Sequence, residues 1–310
     1  MPINRNSQPK EKMDQAMEFY TTEPEYTFED VILPEKVVDE IMLTINLLKY
    51  DSIIYDEWGL GSVFRKKKNI SINIYGPSGT GKTMAAYAIA SYLRKKALLV
   101  NYAEIESKYV GETAKNLVRL FEYSIKHDVV IVFDEADALL SKRVTSMHSS
   151  TDVSVNQTRN VLLHILDEFN GIVIFTTNFI RNYDNAFMRR ITSHIKFELP
   201  DEEQREKLWE HYLVPGLPIS EDRDSLIKNL KLINRVTGAD IANAVLKAAA
   251  RKASDNAVMI NLELLTSEIN NIIASRKSND SISDEEYSIT TKTVSEEYVK
   301  KQVEEGGIIS

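Results

Sequence analysis

Eight residues constrain this chain more than any others. Gly76-Pro77-Ser78-Gly79-Thr80-Gly81-Lys82-Thr83 matches the phosphate-loop pattern G-x-x-x-x-G-K-[ST]. Ahead of it, Ile70, Ile72 and Ile74 alternate with polar residues as a strand does. Behind it, Met84 to Leu93 is Ala-rich and helix-compatible. Strand, glycine loop and helix follow in the order that the motif requires. Glycines let the backbone curl until several amide N–H groups face inward, and the helix adds the positive end of its dipole. In that setting Lys82 neutralises the β- and γ-phosphates of a nucleotide, and the Thr83 hydroxyl ligates Mg²⁺.

Further along, the apolar run Val129 to Phe133 ends in Asp134-Glu135. A buried strand that delivers two carboxylates beside a phosphate loop reads as a Walker B element. Asp134 holds Mg²⁺ through water, and Glu135 orients and deprotonates the attacking water. A third run, Ile172 to Thr177, ends at Asn178. Ligands in doubly wound sheets lie at the carboxyl ends of the strands, which places Asn178 toward the γ-phosphate. By itself, a strand-ending Asn reads first as a turn former.

The wider pattern is α/β. Val37 to Tyr50 repeats apolar residues at helical spacing, Ala97 to Tyr102 is a buried strand, and Glu112 to Tyr123 is helical. Strands alternating with helices predict an open, mostly parallel sheet with helices on both faces. Beyond Pro200 the pattern turns all-helical, with Glu202 to Leu213, Ser225 to Ile233, Ala239 to Ser254 and Leu262 to Ser275. The expected organisation is a flexible arm over residues 1–26, an α/β domain over 27–200, a helical lid over 201–276 and a tail over 277–310. In the tail, Tyr287 to Val294 is β-like, and Thr293 with Glu296 has capping-box spacing. Arg65 to Lys68 reads as a basic surface turn.

Composition removes several alternatives. There is no cysteine, hence no disulfide framework, thiolate metal site or cysteine nucleophile. Lys and Arg total 38 against 46 Asp and Glu, for a net charge of −8, which disfavours a general nucleic-acid binder. The five histidines show no metal-ligand spacing such as H-E-x-x-H. The apolar runs fall far short of the roughly 20 residues that span a bilayer, and the polar N-terminus does not read as a secretory signal. A cytoplasmic setting without a membrane partner is expected.

With these pieces assembled, the sequence resembles the AAA+ ATPases, and within them the protein-remodelling AAA branch. Three further segments carry the likeness. Ser107 to Thr113 is similar to the first pore loop, and implies that Lys108, Tyr109, Val110 and Gly111 form a substrate-gripping element in a central channel. Asp184 to Ile191 resembles the region that supplies arginine fingers, which implies Arg190 with Arg189 beside it acting on a neighbouring subunit's nucleotide. As plain residues, the same pair also reads as cations at a helix end. Thr237 to Ile241 resembles the start of the sensor 2 helix, with Asp240 where other branches place an arginine.

The resemblance implies a P-loop module with a five-stranded parallel sheet and a helical lid, ATP and Mg²⁺ as cofactors, and a hexameric ring. It implies an adenine pocket shaped by Val31, Ile32, Gly238 and Ala239. The expected activity is ATP hydrolysis coupled to remodelling of a protein substrate. A nucleic-acid motor or clamp loader, and a slowly turning nucleotide-gated scaffold, remain as alternatives. Ser146 to Asp152 reads either as a second pore loop or as a plain polar loop. Fewer than about 30 residues precede the ATPase module, so client recognition is expected through the arm, the pore or a separate adaptor. The layout is similar to stand-alone ATPases that remodel HORMA-domain proteins.

Overall fold

Side chains along a strand alternate between faces, so a strand apolar at nearly every position must be covered on both sides. That condition holds for Val130–Asp134 (β3) and Ile172–Thr177 (β4), and Ile70–Tyr75 (β1) is covered on both sides as well, its alternate Ser71 and Asn73 being as buried as its isoleucines. Together with Ala97–Asn101 (β2) and Ser193–Lys196 (β5) they form one five-stranded parallel sheet in the order β2-β3-β4-β1-β5. The structure, a computed structural model, describes residues 19–64, 69–101, 112–140, 150–178, 183–255 and 257–286.

One face of the sheet packs on Glu35–Lys49 (α1) and Lys82–Tyr92 (α2), through Ile41, Ile45, Ala85 and Ile89 against Ile72, Ile74, Val132 and Ile174. The small residues Ala85, Ala86, Ala88 and Ala90 are fully buried in α2 and let that helix lie close to the strands. The other face carries Glu112–His127 (α3) and Ser150–Glu168 (α5), with Asp137–Leu140 (α4) and Asn185–Met188 (α6) at the rim. Its centre is Phe133 stacked on Phe175, ring centroids 5.3 Å apart and 7° from coplanar. The two are direct partners in the β3–β4 register.

This strand order has a functional consequence. β1 lies between β4 and β5, with Tyr75 opposite Thr177. β3 is the next strand beyond β4. The loop after β1, the end of β3 and the end of β4 therefore open on one edge.

Four helices follow: Glu202–Tyr212 (α7), Arg223–Leu230 (α8), Gly238–Ser254 (α9) and Leu262–Glu286 (α10). They enclose a separate core of Trp209, Leu213, Leu226, Leu230, Ile241, Ala248, Leu265 and Ile269. Capping boxes start α7 (Asp201 with Gln204) and α9 (Thr237 with Asp240). α10 runs past the Ser275 end that its apolar period predicts, to Glu286. Among the described residues no helix is long and apolar enough to cross a membrane.

The N-terminal arm differs from its expected flexibility over the part that is described. Thr22 pairs antiparallel with Ala97 at the free edge of β2, through two N–H···O bonds of 2.9 Å. Phe19 packs its ring on Tyr123 and Lys96 pairs with Glu23, so residues 19–26 dock on the sheet edge. The β-like run, the Thr293–Glu296 cap and the basic turn at 65–68 lie outside the described residues.

Trp209 is fully buried, and its removal opens the largest void that a single truncation can leave in the lid. Trp209→Ala should cost about 3–5 kcal/mol, read as a lowered urea midpoint, whereas Trp209→Phe should lose less than half of that.

Candidate nucleotide site

The loop from Gly76 to Gly81 turns sharply because three of its glycines adopt positive φ: Gly76 (+150°), Gly79 (+78°) and Gly81 (+91°). At Gly76 the need is steric as well, since a Cβ there would lie 2.0 Å from the Phe197 carbonyl oxygen. Gly81 caps α2, and Lys82 is the first residue of that helix.

Lys82 is 8% exposed. Its Nζ donates to the carbonyls of Gly76 and Pro77 and to Asn178 Oδ1, each at 2.9 Å. Burial pushes its pKa below the ordinary lysine value, while Asp134, Asp137 and Glu135 oppose that shift. Neighbouring carboxylates thus help to hold the charge that a polyphosphate meets.

Thr83 Oγ1 donates to Asp134 Oδ1 at 2.9 Å, and Thr176 Oγ1 donates to the same oxygen. A hydroxyl beside a carboxylate at a helix start is the oxygen donor set that a hard cation such as Mg²⁺ takes, with phosphates and water completing its shell. Glu135 is exposed and has φ +51°. A non-glycine residue in that region costs of order 1–3 kcal/mol and persists only where its surroundings impose it. Here the Glu135 N–H donates to Thr176 Oγ1 at 3.3 Å and the Ala136 N–H to the Thr176 carbonyl at 2.9 Å. The strained turn lifts the Glu135 carboxylate off the end of β3.

Asn178 closes the group at the end of β4. Its backbone N–H is shared by the two Asp137 carboxylate oxygens at 3.3 and 3.2 Å. With its Oδ1 taken by Lys82, the side chain has Nδ2 left as a donor.

These groups border one cavity of about 390 Å³, within the range of small-molecule sites. Ser78 to Thr83, Asp134, Glu135 and Asn178 form its polar end. Val31, Ile32, Gly238 and Ala239 line it as well. Leu208, Tyr212 and Gln204, on one face of α7, also line it and were missed by sequence reasoning. Their only signal is the four-residue spacing from 204 to 208 to 212.

The arginine pair lies apart from this cavity's lining. Arg190 forks onto Asp167, with Nε 3.0 Å from both carboxylate oxygens and Nη2 2.9 Å from Oδ2, and its Nη1 donates to the Ala186 carbonyl at 3.1 Å. Arg189 is exposed and has no hydrogen-bond or ion-pair partner among the described residues. Lys108, Tyr109, Val110 and Gly111 lie outside the described residues. So does the start of the second-loop candidate, up to Ser149, and Ser150 to Asp152 begin α5.

A phosphate loop at the switch in strand order, with two acidic residues and an asparagine on nearby strand ends, defines a P-loop α/β nucleotide-binding module followed by a helical portion. Residues 72–199 match the family model for the ATPase family associated with various cellular activities (AAA), and the chain carries an AAA ATPase domain. A 26S proteasome regulatory subunit homolog of Methanothermobacter marburgensis is 28% identical over 253 residues, 81% of this chain and 65% of that protein. The proteasome-activating nucleotidase of Saccharolobus solfataricus is 29% identical over 291 residues, 83% of this chain and 72% of that protein. Fidgetin-like protein 1 of Drosophila melanogaster is 33% identical over 174 residues, 54% of this chain and 32% of that protein. The chain spans less than two thirds of the first and third of these relatives.

Gly76→Ala tests the loop directly. The added methyl meets backbone, which cannot swing aside, so binding of a fluorescent ATP analogue should fall at least about tenfold and the melting temperature should drop. Binding within twofold of wild type would show that the loop relaxes around the methyl.

Proposed function

We propose that this protein is a Mg²⁺-dependent ATPase that assembles into a ring and uses ATP hydrolysis to remodel a protein client. The observation that carries this reading is the convergence of Lys82, Thr83, Asp134, Glu135 and Asn178 on one cavity inside an AAA domain. The relatives support the remodelling part through their names, which include a proteasome-activating nucleotidase and a proteasome regulatory subunit homolog.

In this reading Val31, Ile32, Gly238 and Ala239 shape the adenine end, with Leu208 and Tyr212 completing its apolar wall. The amides of residues 76–83 and Lys82 hold the phosphates, and Thr83 and Asp134 hold the metal. When bound, Mg²⁺ withdraws charge from the β- and γ-phosphate oxygens. Glu135 takes the proton from the attacking water, and Asn178 Nδ2 orients that water and the γ-phosphate. The leaving ADP oxygen departs opposite the attack.

An exposed arginine outside its own cavity suits a site shared with a neighbour. Arg189, with no partner among the described residues, takes the finger role in place of the Arg190 that the resemblance implies, and Arg190, held by Asp167, supports the turn that presents it. A hexamer follows from the family resemblance. Lys108, Tyr109, Val110 and Gly111 grip the polypeptide in the central channel. The client is a protein, a HORMA-domain protein being one to test, delivered directly or through an adaptor in the cytoplasm.

Glu135→Gln should lower kcat by about 10²–10⁴-fold while ATP affinity stays near wild type. The ring it traps in the ATP state should retain the client for identification by mass spectrometry. Hydrolysis at the wild-type rate would exclude Glu135 as the base.

The two arginines should separate by readout. Arg189→Ala should lower kcat by about 10²–10³-fold with its melting temperature unchanged. Arg190→Ala should lower the melting temperature as well, because Asp167 loses its partner. Mixing Arg189→Ala with Glu135→Gln subunits should restore hydrolysis at the interfaces that pair the two intact halves. No restoration would place the arginine's action within its own subunit.

A further inference from the structure

Asp240, which stands where other branches carry a sensor arginine, has no task in the nucleotide site as described. Its Oδ2 accepts the Thr237 backbone N–H at 2.8 Å and Arg276 Nη1 at 2.8 Å. Arg276 lies on α10, and its Nη2 donates to the Arg235 carbonyl at 2.7 Å. Arg235 has φ +61°, a sparsely populated conformation for a residue with a Cβ. One guanidinium therefore clamps both ends of the 235–240 turn, including its strained residue.

The same turn presses on the phosphate loop. The Ala239 N–H donates to the Gly79 carbonyl at 3.2 Å. A Cβ placed on Gly79 would lie 2.7 Å from Thr237 Oγ1 and 3.0 Å from Ala239 Cβ, so the two segments touch with no spare room. Gly238 and Ala239 are cavity wall. From Arg276 to the nucleotide cavity the path is thus short: guanidinium, turn, Gly79.

The lid core does not depend on this clamp. α10 is held by Leu265 and Ile269, with Ile272 and Ile273 packed alongside, and α9 by Ile241, Ala244 and Ala248. Arg276 lies beyond the last of those contacts and its side chain is 38% exposed. The pair is open to solvent on the Arg276 side only, the Asp240 side chain being 12% exposed, and it fixes the position of a short turn.

We propose that Arg276 is a positioning residue for nucleotide binding. Through Asp240 and Arg235 it sets the 235–240 turn against Gly79, and it cancels the Asp240 carboxylate charge beside a site that takes a polyphosphate. The coupling is reciprocal, so bound nucleotide tightens the hold on this part of α10. The inference rests on the ATP-site reading above.

The test uses the full chain with a fluorescent ATP analogue, Mg²⁺ and steady-state hydrolysis. Arg276→Ala should raise the nucleotide Kd and the KM about 5- to 20-fold, with kcat within about twofold and the melting temperature nearly unchanged. Asp240→Asn keeps an oxygen for the Thr237 cap but loses the charge pair, and should raise Kd similarly. The double variant should be no weaker than either single one, since both remove one interaction. Arg276→Lys should recover part of the affinity.

Unchanged Kd in both Arg276→Ala and Asp240→Asn, with or without a fall in melting temperature, overturns the proposal. Kd losses that multiply in the double variant also overturn it. Lys82→Ala is the control for the site itself. If wild type and Lys82→Ala bind ATP equally poorly, the ATP site falls and the inference with it. If wild type binds and the Arg276 and Asp240 variants bind equally well, only the inference falls.

Discussion

A nearly buried ammonium organises the site. Lys82 Nζ holds the Gly76 and Pro77 carbonyls on one side and Asn178 Oδ1 on the other, each at 2.9 Å. It therefore fastens the loop after β1 to the end of β4. Carbonyls that converge on a cation turn their own peptide N–H groups away from it, which is how a phosphate loop comes to present amides to an anion. Burying a charge costs heavily unless it is paired, and the nearby Asp134, Asp137 and Glu135 supply that compensation.

That arrangement depends on a sheet order which local sequence does not encode. Had β1 followed its chain neighbours, it would lie beside β2. Instead the order β2-β3-β4-β1-β5 places the β1 loop next to Asn178, one strand from Asp134. The order is stabilised by faces: Ile72, Ile74, Val132 and Ile174 pack toward α1 and α2, while Ile131, Phe133, Val173 and Phe175 pack toward α3 and α5. Each buried side chain of this kind contributes roughly 1.5–3 kcal/mol. A one-residue slip of β3 or β4 would exchange its two faces and lose the Phe133–Phe175 stack. The catalytic geometry is thus held by apolar packing some distance from the chemistry.

What the sequence shows and what it hides divide along the same line. Features encoded within one segment are legible: the glycine loop, the alternation of β1, the apolar runs of β3 and β4, and the helical periods beyond Pro200. β5 gives little local signal, since Ser193–Lys196 is short and only Ile195 is deeply buried. The arm at residues 19–26 reads as polar chain, yet it docks because β2 offers an unpaired edge. Pairs distant in sequence are the least visible. Arg190 with Asp167 and Arg276 with Asp240 are 23 and 36 residues apart, and no periodicity links such positions. Leu208 and Tyr212 read as ordinary helix residues until the lid places that face over the cavity.

Those distant pairs share a physical logic. The chain carries a net charge of −8, so cations placed one by one matter more than bulk charge for a site that takes an anion. Each fixed cation is held at hydrogen-bond distance: Arg190 by Asp167, Arg276 by Asp240, and Lys82 by the Gly76 and Pro77 carbonyls and Asn178 Oδ1. A partner at hydrogen-bond distance removes the rotamer freedom of a long side chain before any ligand arrives. Arg189 lacks such a partner among the described residues. It therefore retains the rotamer freedom that the proposed role toward a neighbouring subunit requires.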